Sequence, residues 1–249
     1  MFKTLIFLLL ISTSTFAQNA IPIKNWKSHS IPTIKDTLVG YNNGKVWWKV
    51  LVKNNKVYAY NDYSHYKKQI PFPILKTQSE KTLNITGNRV VMEVDDGYLV
   101  GIDYGEWGGD FLWYSKDGKV HKQLKGYRIM QFMIRDKKIY AIDGYGTMIK
   151  IDRIQNEWRT EPYIKFPFGQ KPISIALDNQ NNFIVITSDC LLKIDKEKKI
   201  TKIIENGFWR PYLYPTSIII EDNIVYAGMP MGIFKYNLDI KTKEWLMPK

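Results

Sequence analysis

Five stretches of this chain open in the same way at nearly equal intervals: KVYAYND, YLVGIDY, KIYAIDG, NFIVITSD and NIVYAGM. Their aligned anchors are Val57, Tyr98, Ile139, Phe183 and Ile224. An internal period of this kind restricts the fold more than any other feature, because each repeat must be one small unit that buries its apolar face against the next. Ahead of each anchor stands a turn rich in Asn, Asp or Gly: Asn54-Asn55, Asp95-Asp96-Gly97, Asp136, Asn179 to Asn182, and Asp222-Asn223. Such residues supply the left-handed or side-chain-bonded conformations that tight hairpins require.

Each anchor strand is preceded by another apolar run, KVLVKN, VVMEVD, QFMIRD, SIALDN and SIIIED, and most are followed by a third: FLWYSKDG, TMIKID, LLKIDKE and GIFKYN. A fourth strand follows turns such as Lys116-Asp117-Gly118-Lys119. About four short strands in about 40 to 45 residues is the pattern of a β-propeller blade. The expected fold class is therefore all-β, a β-propeller of five blades with four antiparallel strands each, spanning residues 18–249 as one domain. An irregular β-sandwich is the alternative, and the equal spacing argues against it. No helix of ten or more residues is expected. Residues 18–45 fall outside the repeat and are expected to add an outer strand to the last blade, beside Glu244 to Met247, or to cap the disc. Pairing the chain ends in this way would remove two exposed sheet edges.

The last repeat carries a further pattern. In VYAGMPMGIFKYNLDIKTKEW, Gly228, Gly232, Ile233, Tyr236, Thr242 and Trp245 occupy the places of a strand, a glycine turn, a Gly-hydrophobic-aromatic step and a Thr-x-x-aromatic close. The arrangement resembles the regulator-propeller repeat of secreted and periplasmic bacterial sensors. IYAIDGYGTMIKID is a looser copy, with Gly146 matching Gly232. The resemblance covers one repeat well and the other four weakly. It implies a fold rather than a chemistry.

The N-terminus reads differently. In MFKTLIFLLLISTSTFA a lysine is followed by an apolar run from Leu5 to Ile11, then by small polar residues and Ala17. This is the layout of a secretory signal peptide over residues 1–17. The run is short for a membrane anchor, which needs about 20 apolar residues. No cysteine lies near Ala17, so a lipoprotein start is not expected. The chain is expected to be periplasmic or secreted, with no integral membrane segment after signal removal. Cys190 is the one cysteine, so no intramolecular disulfide and no four-cysteine zinc site can form. It is expected as a small buried hydrophobe.

The formal charge is +12. The lysines are spread over hairpin turns (Lys116, Lys119, Lys137, Lys138, Lys196, Lys198, Lys199, Lys241, Lys243) rather than gathered in one arm, so nucleic acid is not expected as a partner. Attraction to acidic glycans or an anionic surface is one reading of this charge, and solubility with edge protection is the plainer one. Asn84-Ile85-Thr86 matches a glycosylation acceptor.

In a propeller, loops between second and third strands share one face with the loops between blades. Here these are Asp62 to His65, Tyr104 to Asp110, Gly144 to Gly146, Ser188-Asp189 and Met229 to Met231, with Gly126 to Arg128, Phe168 to Gln170 and Gly207 to Pro211. They bring forward Tyr104, Glu106, Trp107, Asp110, Tyr127, Arg128, Tyr145, Asp189, Trp209 and Arg210. All but Tyr127 form the expected ligand-binding set. Flat rings with charged hydrogen-bonding groups suit a sugar or a peptide. Each ring has the competing role of packing between blades, and Trp107, flanked by glycines, is the strongest candidate.

Catalytic motifs are missing. There is no Gly-x-Ser-x-Gly elbow, no phosphate loop, and no metal-like spacing among His29, His65 and His121. No metal and no cofactor are expected. The expected function is a monomeric, non-enzymatic propeller that binds a protein or glycan through its loop face. The alternatives are a glycan-cleaving enzyme with carboxylates such as Glu106, Asp110 and Asp189 at the channel mouth, and an envelope inhibitor or immunity-type protein.

Overall fold

A computed structural model describes residues 20–43, 46–61, 70–72, 88–167 and 169–249. Among the described residues, twenty strands form five antiparallel sheets. The first sheet holds β3 (Trp48–Lys53), β4 (Lys56–Asn61) and β1 (Ile21–Pro22). The second runs β5 (Asn88–Val94), β6 (Gly97–Asp103), β7 (Gly109–Ser115) and β8 (His121–Lys125). The third runs β9 (Ile129–Arg135), β10 (Lys138–Asp143), β11 (Thr147–Ile154) and β12 (Glu157–Lys165). The fourth runs β13 (Pro172–Leu177), β14 (Phe183–Thr187), β15 (Leu191–Ile194) and β16 (Ile200–Ile204). The fifth runs β17 (Ser217–Glu221), β18 (Ile224–Met229), β19 (Gly232–Asn237) and β20 (Lys243–Met247), and β2 (Lys27–His29) joins its outer edge. The chain is a five-bladed β-propeller, as the repeat predicts.

At three of the five hairpins the anticipated turn forms with both central residues left-handed, whereas Asp95 and Asp96 keep negative φ. Asn54-Asn55, Asp136-Lys137 and Asp222-Asn223 all adopt positive φ. These two-residue turns set the registers Lys53↔Lys56, Arg135↔Lys138 and Glu221↔Ile224. Positive φ at both central residues matches the right-handed twist of the flanking strands.

Blades meet through their innermost strands. β17 packs on β3 and β13, and β9 packs on β13 and β5. Each innermost strand has a free edge of N–H and C=O groups that must find partners. Side chains from the neighbouring blade supply them. Val50 N–H donates to Ser217 Oγ at 2.9 Å, and Ile218 N–H donates to Ser174 Oγ at 3.0 Å. Ser174 Oγ in turn donates to Gln131 Oε1 at 2.7 Å, and the Gln131 amide bonds both the N–H and the C=O of Ile175.

The apolar core is divided among the seams. One cluster joins the fourth and fifth sheets around Ile184, Leu213 and Phe234, and another joins the third and fourth around Tyr140, Ile175 and Phe183. A third joins the second and third sheets around Leu99, Phe111 and Ile149. Gly228 shows how tightly the first and fifth sheets approach: a Cβ there would stand 2.2 Å from the Trp48 carbonyl oxygen.

Among the described residues, strand number departs from four per blade at the closure. The N-terminal segment crosses the seam between the first and fifth sheets. β1 takes the third position of the first sheet against β4, and β2 forms a fifth strand on β20, in register Lys27↔Met247 to His29↔Trp245. The expected outer strand on the last blade is therefore present. Trp26, between them, is buried edge-on against Trp48 with ring centroids 4.8 Å apart.

One expectation is corrected. Ile34–Asn43 forms a ten-residue helix, α1, where no helix of that length was expected. Its start is a capping box. Thr33 N–H and Oγ1 donate to Asp36 Oδ2 at 2.9 and 2.7 Å, and Asp36 N–H donates back to Thr33 Oγ1 at 3.3 Å. The signal peptide at 1–17, the loop from Asp62 to His65, Phe168 and the Asn84 acceptor lie outside the described residues.

Candidate functional site

The loop face is built where β6 and β10 end. Each closes on an aspartate, Asp103 and Asp143, followed by a glycine-containing loop. Nearly every residue of both strands is buried at these ends, so the two carboxylates must find partners within the fold. Arg128, on the connection from β8 to β9, serves both. Its Nε and Nη2 donate to Asp103, the second at 3.3 Å, and its backbone N–H donates to Asp143 Oδ1 at 2.9 Å. Nη1 makes no bond. Gly144 N–H donates to the Arg128 carbonyl at 2.8 Å, which locks the connection to the third sheet. Burial raises the Asp143 carboxyl above the usual carboxylate range, against the opposing pull of the N–H groups of Arg128 and Tyr145 and of the Arg128 charge.

The loop after β6 turns through a 3₁₀ segment, Gly105–Trp107, and returns at Gly108, whose φ of 104° only glycine adopts readily. Gly105 N–H donates to Asp103 Oδ1 at 2.7 Å, and Tyr104 N–H donates to the Gly108 carbonyl at 2.9 Å. The turn thrusts Trp107 outward, 61% exposed. Tyr145, on the Gly144–Gly146 loop of the next blade, is 60% exposed. Its hydroxyl lies 3.1 Å from where a Gly108 Cβ would stand, so the two aromatic loops touch.

The expected residues thus separate into three groups. Trp107, Tyr145 and Arg128 come together on the face of the second and third blades, with Glu106 exposed on the same loop. Tyr104 and Asp110 lie beneath and satisfy one another: the Tyr104 hydroxyl donates to Asp110 Oδ2 at 2.8 Å, and Gln123 Nε2 donates to Oδ1 at 2.7 Å. They support the loop from inside rather than face a ligand. Asp189 and Arg210 form a separate pair on the fourth blade, 3.9 Å apart, with Thr187 Oγ1 donating to Asp189 at 3.1 Å.

Trp209 is not on the face. It is fully buried, donates its indole N–H to the Thr187 carbonyl at 3.2 Å, and packs on Phe208 and Phe234. The ring fills the seam between the fourth and fifth sheets, the packing role that competes with ligand binding for every propeller tryptophan. Cys190 is buried as expected, and burial, then the Asp189 charge, pushes its thiol up, which favours the protonated form.

Asp103 and Asp143 were missed as site residues. Their signal was present: an acid closing a largely apolar strand, twice, with a glycine one or two residues on. Among the described residues no group of three or more His, Cys, Asp or Glu side chains is arranged to hold a metal ion, and no helix is long and apolar enough to cross a membrane.

No protein-family model matches the chain, and no curated protein matches it. Solved structures do. Virginiamycin B lyase from Staphylococcus aureus is similar with a TM-score of 0.50 and 13% identity, over 90% of this chain and 75% of that one. The inactive form of that enzyme with quinupristin gives a TM-score of 0.51 at 12% identity, over the same shares of the two chains. The extracellular domain of a hybrid two-component system from B. thetaiotaomicron is similar over 65% of this chain, with a TM-score of 0.47 and 19% identity. The match covers 21% of that solved chain. These likenesses concern the fold, and at such identities a shared fold carries no activity with it.

Proposed function

We propose that this chain is an exported binding propeller that holds a glycan on the loop face of its second and third blades. One observation carries the reading: two aromatic rings, each about three-fifths exposed, stand on touching loops beside a guanidinium whose Nη1 has no partner among the described residues. Exposed rings of this size on a rigid, glycine-turned scaffold are costly to solvate and serve recognition. Their faces suit the C–H faces of a sugar ring. Arg128 Nη1 and the Glu106 carboxylate offer hydrogen bonds at its edge, and the Asp103–Arg128–Asp143 network fixes the guanidinium in place. The apolar run before Ala17 supports export.

The test is capture on an array of acidic and neutral polysaccharides, followed by titration of the captured glycan. The Trp107→Ala, Tyr145→Ala double variant is expected to lose about tenfold or more in affinity with its melting temperature nearly unchanged, since both rings are exposed. Unchanged affinity in that variant overturns the site.

A second reading rests on Asp143. A buried carboxyl with a raised pKa beside an ion-paired one is the kind of inequality that acid–base catalysis uses. The fold is compatible with an enzyme, since the similar structure from S. aureus is a lyase. Turnover of the captured glycan that is abolished in Asp143→Asn decides for this reading, and the absence of turnover leaves binding.

A further inference from the structure

The second and fourth blades close their loop ends with the same pairing. In each, an arginine on the connection to the next blade meets an aspartate at the end of the second strand. Arg128, after β8, bonds Asp103, the last residue of β6. Arg210, after β16, lies 3.9 Å from Asp189, two residues beyond β14. The Tyr145 loop of the third blade stands between the two pairs.

The fourth-blade pair differs from the first in being open. The 3.9 Å from Arg210 Nη1 to Asp189 Oδ2 exceeds hydrogen-bond length, and the Arg210 guanidinium donates no hydrogen bond among the described residues. Both groups are nevertheless held in place. Thr187 Oγ1 donates to Asp189 Oδ1 at 3.1 Å. Arg210 sits in a turn anchored by the fully buried Trp209 and Leu213, where its N–H donates to the Gly207 carbonyl at 3.1 Å and the Leu213 N–H to the Trp209 carbonyl at 2.8 Å. A sugar hydroxyl about 2.8 Å from each group can accept from Nη1 and donate to Oδ2 at once.

The loops between the exposed rings and this pair are continuous. A Cβ on Gly146, next to Tyr145, would stand 3.9 Å from the Gln170 carbonyl oxygen, an ordinary contact distance. Gln170 Nε2 lies 3.5 Å from Cys190 Sγ, beside Asp189, and the Ser188 N–H donates to the Lys171 carbonyl at 3.0 Å. The rings of the second and third blades and the Asp189–Arg210 pair of the fourth thus lie along one unbroken run of loops. Both guanidinium groups stand beside carboxylates, which suits neutral, hydroxyl-rich units over a polyanion.

We propose that the ligand of the loop face is a neutral oligosaccharide chain rather than a single sugar. One unit stacks on Trp107 and Tyr145, and a unit further along presents its hydroxyls to Asp189 and Arg210. This inference rests on glycan binding at the loop face and adds to it a second subsite and a ligand class.

The probes are cello-oligosaccharides and malto-oligosaccharides of two to six glucose units, titrated calorimetrically into the full-length protein. In the series that binds, the hexamer is expected to bind about tenfold or more tighter than the dimer. Arg210→Ala, altered at an exposed side chain and checked by its melting temperature, is expected to bring the hexamer down to the affinity of the dimer and to leave the dimer unchanged. Asp189→Asn, which keeps an acceptor for the Thr187 hydroxyl, is expected to weaken the hexamer alone. The Trp107→Ala, Tyr145→Ala variant weakens dimer and hexamer alike. A hexamer no tighter than the dimer, or wild-type hexamer affinity in folded Arg210→Ala, overturns the second subsite and leaves the ring site standing. Failure of every oligomer to bind at millimolar concentration overturns both.

Discussion

Asp143 is where burial and charge oppose each other most directly. Its carboxyl is raised because burial disfavours the ionised form more than the Arg128 and Tyr145 N–H groups and the Arg128 charge favour it. The folded chain therefore holds a proton at pH values where the unfolded chain has released it. In that window the folded form binds more protons, so stability falls as pH rises from about 4 through the raised value. Asp143→Asn keeps an acceptor oxygen for the Arg128 N–H and cannot ionise. Its stability relative to wild type is expected to increase steadily as pH is raised through this window, measured by denaturant unfolding at a series of pH values. Parallel curves for the two proteins would contradict the burial of an ionising carboxyl at this position.

At the scale of elements, the N-terminal segment does more than its irregular sequence suggests. Two residues of β1 pair with the first sheet, three of β2 pair with the last, and Trp26 packs between them on Trp48. Ser28 Oγ adds a bond to Glu244 on β20 at 3.1 Å. Trp26→Ala leaves a cavity at this closure and is expected to cost about 3–5 kcal/mol. Limited proteolysis should then cut first within the N-terminal segment, whereas cleavage elsewhere would place the weak point outside the closure. The central strands and two-residue turns were legible because period-2 alternation and Asn or Asp pairs act locally. The helix α1 was legible only through the Thr33–Asp36 box, since its apolar pattern is weak. The site was legible in part. Glycine flanks announced Trp107, but the same composition announced Trp209, and only the packing of two sheets separates an exposed ring from a buried one. Asp103 and Asp143 escaped because their meaning depends on Arg128, which reaches them from another turn of the chain.

For the whole molecule, the propeller sorts its residues onto two ends. The connections that carry Trp107, Arg128 and Tyr145 gather at one end, and the hairpin turns with their lysines gather at the other. The charge of +12 is thereby dispersed around the hairpin end and outer strands rather than concentrated at the loop face. The candidate glycan site belongs to the loop end, and a ligand bound there is located by where it protects the backbone. Hydrogen exchange with and without the captured glycan reads this directly. The account predicts slowed exchange in residues 104–109 and 143–146, with the hairpin turns at 95–97 and 136–138 unaffected. Protection at those turns, or on the fourth-blade loops around Asp189 and Arg210 alone, would contradict it.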